Sequence, residues 1–249
     1  MRWLLAVLAH PDDESMGAGG LIVRHTRNDV MVHFVCATRG EQGWKGKPPG
    51  ARREDLGKIR TAEMEAAATA LALAGVEIWD YPDGGVDKCD HTEITQRIWQ
   101  AIRTVRPAAV VTWGPDGGYG HPDHIAVGSF TDAAVAGMPE GDRPALYHLA
   151  VDEQLAEFYR EAARLTSPDG EALPAAVADH VDVVLDLSPD EVQMKLRAVY
   201  CHQSQLADWM VALREHPAIL QRGWGHEPYI VVPSRATELT AGGLLGEFA

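Results

Sequence analysis

The sequence predicts an α/β fold: a Rossmann-like, mostly parallel sheet with helices on both faces and a less regular C-terminal cap region. Three observations predict it. Strand and helix signals alternate along the first 150 residues. The first strand signal is a continuous apolar run, as expected where both faces of a strand are covered. Two phrases rich in His and Asp, Ala9-His10-Pro11-Asp12-Asp13-Glu14 and Gly120-His121-Pro122-Asp123-His124, follow the first and fourth strand signals. The carboxyl ends of such strands are where sheets of this kind carry their sites.

The elements follow in order. Trp3–Ala9 is an unbroken apolar stretch and reads as a buried strand. Gly17–Thr26 is a short helix. Val30–Ala37 is a second apolar strand, and Arg52–Ala74, rich in Ala, Glu and Leu, is a long helix. Val76–Tyr81 is the third strand, Thr92–Val105 the third helix and Ala108–Trp113 the fourth strand. Pro122–Ala136 is helical and Ala145–Val151 a fifth strand. This βαβα order implies parallel pairing with right-handed crossovers. Beyond Val151 the pattern loosens. Glu153–Leu165 is helical, Thr166–Asp179 a polar and Ala/Pro-rich loop, and Val181–Leu187 an apolar alternation able to rejoin the sheet. Pro189–His202 and Leu206–Glu215 read as helices and Tyr229–Val232 as a short late strand. The whole is expected to be one domain, 1–249, with a Rossmann-like core over 1–150 and a C-terminal completion and cap over 151–249.

Bulk composition narrows the function. Apolar residues make up 46% of the 249, enough for a real core. Lys+Arg 22 against Asp+Glu 36 gives a net charge of −14, which argues against a nucleic acid partner. Cys36, Cys89 and Cys201 have no metal-type spacing and suggest a reducing, cytoplasmic setting, with Cys36 in the core. Met1–Ala9 imitates a secretory signal, but its apolar stretch is short and carries one charge, so an intact N-terminus is expected. No apolar stretch is long enough for an integral membrane segment. A homo-oligomer is left open.

The two His/Asp phrases carry the chemistry. With strand order 3-2-1-4-5, assumed from the alternation, strands 1 and 4 are neighbours and the phrases face one crevice. Each proline keeps the preceding histidine extended and starts a helix. Asp12, Asp13 and Glu14 then stand at a helix N-terminus, which favours ionised carboxylates. Three N/O ligands plus a water form an open, catalytic metal site, and the remaining acid and imidazole suit proton transfer. Spacing alone does not choose between His121 and His124 as ligand. Gly17, Gly19 and Gly20 resemble a nucleotide loop only in part. Ile22 occupies the last glycine position and the acids would repel a pyrophosphate, so these glycines read as close helix packing. The cations Arg39, Lys45, Lys47, Arg52 and Arg53 in the 38–53 loop read as a surface loop rather than an anion-binding flap.

At these residues the chain resembles the PIG-L/LmbE-type de-N-acetylases, zinc-dependent hydrolases of N-acetylated sugars and related amides. The likeness rests on the two phrases, with echoes at Thr38-Arg39-Gly40-Glu41, at Arg60 and Glu63, and at His202-Gln203-Ser204-Gln205 after Lys195. It covers about the first 135 residues and a patch near 195–205; residues 140–190 carry no family signature. The resemblance implies that His10, Asp13 and His124 hold Zn2+, with Fe2+ an alternative. It implies Asp12 as general base and His121 as an imidazolium at the substrate carbonyl, held charged and oriented by Asp123. Tyr119 would assist at the oxyanion. Arg60, Glu41 and Asp83 become candidate substrate contacts, where composition alone reads them as a solvated helix face and loop acids.

Three functions compete on this reading. One is removal of an N-acetyl or other N-acyl group from a small-molecule amino sugar or glycoconjugate. The second is an amidase cutting a larger amide of a thiol conjugate or natural product with the same metal. The third is a catalytically silent metal-containing binding protein. His202 and Gln205 read as a helix end, and Glu14 as either a helix cap or a support for the site. Among the aromatic residues only those of the 113–119 loop are expected near a sugar. Seven histidines, including His25, His148 and His226, are expected to be structural or exposed.

Overall fold

The computed structural model describes residues 2–45, 50–165 and 176–233. Its strands are β1 (Arg2–Leu8), β2 (Val30–Thr38), β3 (Gly75–Tyr81), β4 (Ala109–Trp113), β5 (Ala145–Leu149), β6 (Val183–Asp186) and β7 (His226–Val232). They form one seven-stranded sheet in the order β3-β2-β1-β4-β5-β7-β6. The first five pair in parallel, whereas β7 runs antiparallel to both β5 and β6. The helices are α1 (Asp13–Met16), α2 (Gly19–Thr26), α3 (Arg53–Ala70), α4 (His91–Val105), α5 (Gly117–Gly120), α6 (Pro122–Ala136), α7 (Glu153–Arg164), α8 (Pro189–Val199), α9 (Asp208–Ala212) and α10 (Pro217–Trp224).

Strand alternation explains why β1 is apolar throughout. Leu4, Ala6 and Leu8 join one core with residues of α2, α3, α8 and α10. Leu5, Val7 and Ala9 point the other way, into a core shared with α4 and α6. The β1–β4 pairing, Leu4 on Ala109 and Ala6 on Val111, aligns their carboxyl ends. From that edge the chain leaves toward β2 on one side and β5 on the other. That is the switch point at which an open α/β sheet leaves a crevice.

Several elements differ from expectation. The helix expected over Gly17–Thr26 begins at Gly19 as α2, and a separate short helix, α1, precedes it with Asp12 as N-cap and Asp13 and Glu14 in its first turn. A Cβ on Gly20 would stand 2.3 Å from Leu187 and 2.7 Å from Glu227, so the glycine allows α2 to seat directly on β7 and its neighbours. The helix expected over Leu206–Glu215 is one α turn, α9, followed by a 3-10 turn at Leu213–Glu215. The late strand begins three residues earlier, and α10 carried no signal strong enough to predict it. Of the loop expected over Thr166–Asp179, residues 166–175 lie outside the described residues, as does Lys47 of the basic loop. Arg39 pairs with Asp80, Arg52 with Glu54 and Asp55, and Arg53 donates to the Glu41 and Gly43 carbonyls. Those three cations are therefore engaged by protein groups. Among the described residues no helix is long and apolar enough to cross a membrane.

Candidate metal centre

The turn after β1 is built around a strained residue. Asp12 has φ 124° and ψ −25°, a conformation that side chains disfavour. Several bonds hold it there. Its N–H donates to Glu14 Oε2 at 2.9 Å, and its carbonyl accepts from Met16 N at 2.8 Å. Arg60, buried on α3, reaches across to donate to Asp12 Oδ2 at 3.0 Å, to Gly40 O at 2.9 Å and to the Pro11 carbonyl. Glu14 is fully buried, and its other oxygen meets His202 Nε2 at 2.6 Å. The positioned Asp12 carboxyl lies 19% exposed. Burial raises its pKa to about 6, against the opposing pull of Arg60.

The neighbouring Asp13 is oriented by three donors. Its Oδ2 accepts from Ala9 N and His10 N, each at 3.0 Å, and from Trp113 Nε1 at 3.1 Å. Oδ1 is left facing His124 Nε2 at 3.5 Å. Burial works against the charge, but His124 and His10 outweigh it and hold this carboxyl below its ordinary value. Trp113, the last residue of β4, also stacks on the His124 ring with centroids 4.1 Å apart.

The second phrase arrives from β4 through α5, where Gly117 takes a positive φ of 62° and turns its carbonyl inward. That carbonyl accepts from His124 Nδ1 at 3.1 Å. His124 Nδ1 therefore carries a proton, and Nε2 presents its lone pair to the crevice. His10 is fixed in the complementary way. Its Nε2 meets Asp123 Oδ2 at 3.1 Å and Asp83 Oδ1 at 3.2 Å, and carboxylates only accept. His10 Nδ1 then faces His124 Nε2 at 3.1 Å, and it lies 3.9 Å from Asp13 Oδ2.

Two imidazole nitrogens aimed at one another require a cation between them, either a proton or a metal. Burial opposes a charge on His10, but its bonds to Asp123 and Asp83 raise it to about 10. Burial drives His124 down to about 4. These shifts place the proton on His10 Nδ1, with His124 Nε2 accepting it. Tetrahedral ligands at zinc distances of roughly 2.0–2.1 Å stand about 3.3 Å apart. The His10 Nδ1–His124 Nε2 separation of 3.1 Å and the His124 Nε2–Asp13 Oδ1 separation of 3.5 Å lie close to that value, while the Asp13 oxygen nearest His10 Nδ1, at 3.9 Å, is Oδ2. The residues therefore fit a small divalent ion. Among the described residues, the groupings whose potential ligand atoms all lie within 4.8 Å of one another are His10, His121 and His124, and His10, Asp83 and Asp123; both include His10, and the first also includes His124.

The remaining expected residues fall at graded distances. His121 caps α6, its Nδ1 accepting from Asp123 N at 3.2 Å. The expectation that Asp123 holds His121 charged is corrected here. The Asp123 carboxylate turns away from His121, accepting from Gly84 N at 2.7 Å and Val86 N at 3.0 Å while it binds His10. Burial and then the nearby His10 push the His121 pKa down, so the neutral ring is favoured, with its proton on Nε2. Tyr119, 36% exposed, stands at the rim, with its ring centroid 5.7 Å from that of His121. Asp83 touches His10 directly. Glu41 stands one step back, accepting from Asp83 N at 2.9 Å. His10, Arg60, Asp83 and His121 line a polar cavity of about 280 Å³ together with Gln42 and Gln205.

Sequence reasoning undervalued three supports, Trp113, His202 and Gln205. Trp113 braces both Asp13 and His124. His202 locks Glu14. Gln205 donates to the Trp44 carbonyl at 2.9 Å, and both residues line the cavity. The usable signals were the place of Trp113 at the end of the fourth strand, in the loop leading to the second phrase, and the family echo at His202–Gln205. Among the histidines expected to be structural, His25 is fully buried, and His148 and His226 are buried against acids.

Comparison with known proteins bears on this geometry. The sequence pattern of the GlcNAc-PI de-N-acetylase family, PIG-L, matches residues 5–135. The chain is 35% identical to a 1D-myo-inositol 2-acetamido-2-deoxy-alpha-D-glucopyranoside deacetylase of Actinosynnema mirum, over 83% of this chain and 81% of that protein. It is 31% identical to a probable N-acetyl-alpha-D-glucosaminyl L-malate deacetylase 2 of Bacillus anthracis, over 86% and 85%. Among solved structures, the 4-carboxy-2-hydroxymuconate hydratase GalB of Pseudomonas putida superposes with a TM-score of 0.67 at 22% identity, covering 94% of this chain and 98% of that one. That last likeness concerns the fold, which evidently carries more than one chemistry.

Proposed function

The chain belongs to the GlcNAc-PI de-N-acetylase family, and from that premise we propose that it hydrolyses the N-acyl amide of a glucosamine-type sugar in a small glycoconjugate. The two relatives are named for substrates that share an N-acetylglucosaminyl unit and differ in what it is attached to, inositol or malate. The amino sugar is the common element, and it is what we assign to this site. One observation carries the reading. Two tautomer-fixed imidazoles and an oriented carboxylate converge beside a part-buried, unusually posed second carboxylate, at the mouth of a polar cavity.

We assign His10, Asp13 and His124 as ligands of one divalent ion; an open set of two imidazoles and one carboxylate suits zinc in a hydrolase and also suits Fe2+, and we assign zinc because the resemblance to zinc-dependent hydrolases implies it. Such an ion, when bound, polarises the amide carbonyl and makes water acidic enough to attack near neutral pH. Asp12 accepts the proton of the attacking water and returns it to the departing amine, so the proton count closes. His121, with Nε2–H free to point into the cavity, donates to the oxygen that gains charge, and Tyr119 adds a second donor from the rim. Asp123 and Asp83 act through His10, fixing its tautomer and raising its basicity as a ligand. Arg60 holds Asp12 and Pro11 in place from behind. Gln42 and Asp83 face the space left for sugar hydroxyls, with Glu41 steadying the Asp83 backbone. The unit acts as one domain, 1–249, whose first 150 residues bring all these groups. Three unpaired cysteines agree with a reducing, cytoplasmic compartment.

The test is amine release from N-acetylglucosamine and its α-glycosides by zinc-loaded protein. Turnover that disappears in Asp12→Asn while the metal stays bound supports the reading. Tight glycoside binding without amine release from any substrate would instead make this a binding protein.

A further inference from the structure

A second, larger cavity opens from the same site and points to the nature of the acyl group. It measures about 470 Å³ and shares Asp12, Asp13, Trp44, Tyr119 and Gln205 with the polar cavity, while His124 also faces it. Its walls are Met16, Leu149, Leu155, Tyr159, Met210 and Trp224, brought from α1, β5, α7, α9 and α10. The polar side chains in those walls are engaged by the protein itself. Lys195 Nζ donates to Glu227 at 2.6 Å. Glu227 also accepts from Gly20 N at 2.6 Å, Leu21 N at 2.8 Å and the Tyr229 hydroxyl at 2.8 Å. His226 pairs with Asp152 at 2.6 Å. A ligand in this space gains by covering apolar wall and gains little from polar groups of its own.

An amide lying across the site has two sides. The polar cavity, with Asp83, Gln42 and His121, suits the sugar on the nitrogen side. The apolar cavity is then left to the carbonyl side. An acetyl group puts one methyl into a space in the size range of cavities that bury drug-sized ligands. We propose that the preferred substrate carries a medium-chain fatty acyl group, longer than acetyl, on the sugar nitrogen, with its alkyl tail in this cavity. The inference rests on the amide-hydrolase reading above and adds the acyl specificity.

The experiment measures kcat/KM of the zinc-loaded protein on glucosamine acylated with acetyl, butyryl, hexanoyl, octanoyl and decanoyl groups. Burial of each methylene corresponds to about a fourfold rise, so octanoyl is expected to exceed acetyl by at least ~100-fold. In Leu155→Trp, which narrows the cavity, the octanoyl-to-acetyl ratio is expected to fall at least ~10-fold. That ratio is read within one protein and so is insensitive to partial unfolding. Binding gives an independent readout: Asp12→Asn is expected to bind N-octanoylglucosamine far more tightly than N-acetylglucosamine. Equal or better turnover of the acetyl substrate overturns the acyl inference and leaves the hydrolase reading standing. Absence of amine release across the whole series overturns the hydrolase reading, and the inference falls with it.

Discussion

Replacing Asp12 separates a conformational cost from a chemical role. With φ at 124°, its Cβ is held where side chains are disfavoured, at a cost of order 1–3 kcal/mol. Asp12→Ala removes the carboxylate and keeps the Cβ; Asp12→Gly removes both. Each variant loses the 3.0 Å bond to Arg60, so that loss cancels in the comparison. Glycine gives back about 0.5–1 kcal/mol through the greater freedom of its unfolded chain. The difference that remains is about 0.5–2 kcal/mol in favour of Gly, or roughly 1–8 °C in Tm for a chain of this size. Parallel melts of the two variants with chelator present, so that metal does not contribute, read it directly. Both are expected to lose about 10²–10⁴ in turnover, as befits a general base. A Gly variant that melts at or below the Ala variant would refute the idea that strain is stored at this residue. A variant that kept most of its turnover would refute the assignment of the base.

Other perturbations test the supporting shell. Asp123→Asn removes charge behind His10, and metal affinity measured by competition with a chelator is expected to weaken about 10- to 100-fold. Glu227→Ala leaves the Lys195 ammonium buried without its partner and exposes the start of α2. A loss of about 3–5 kcal/mol in urea unfolding is expected, partly recovered when Lys195→Met is added. Arg24 hydrogen bonds hold Glu191 at about 2 instead of 4.5. The stability from that pair is full above pH 4.5 and is lost as pH falls toward 2. Arg24→Met should therefore show a flatter fall in Tm over that acid window than the parent chain, and an unchanged slope would remove the pair from the account.

The central strands and the two phrases were legible because their signals are local. β1 is buried on both faces, which leaves an unbroken apolar run, and each phrase places a proline immediately after a histidine. The adjacency of β1 and β4 was assumed from the alternation, and the sheet order places them side by side. The C-terminal part was less legible, because its logic is long-range. β7 contains His226, Glu227 and Pro228, which hide a strand pattern. Glu227 is tolerated there because it receives the α2 N-terminus and Lys195, both remote in sequence. The direction of the Asp123 carboxylate was likewise unreadable, since it is set by backbone N–H groups of Gly84 and Val86 from another loop. The apolar cavity is assembled from five separated elements, none of which announces it alone.

Metal stoichiometry in three single variants tests the centre most directly. Apo-protein titrated with zinc should bind one ion per chain. His124→Ala and Asp13→Ala should abolish that binding, and His121→Ala should retain it while losing turnover. Loss of the ion in His121→Ala with retention in Asp13→Ala would move the ligand set to the three-histidine grouping and contradict the account given for both residues.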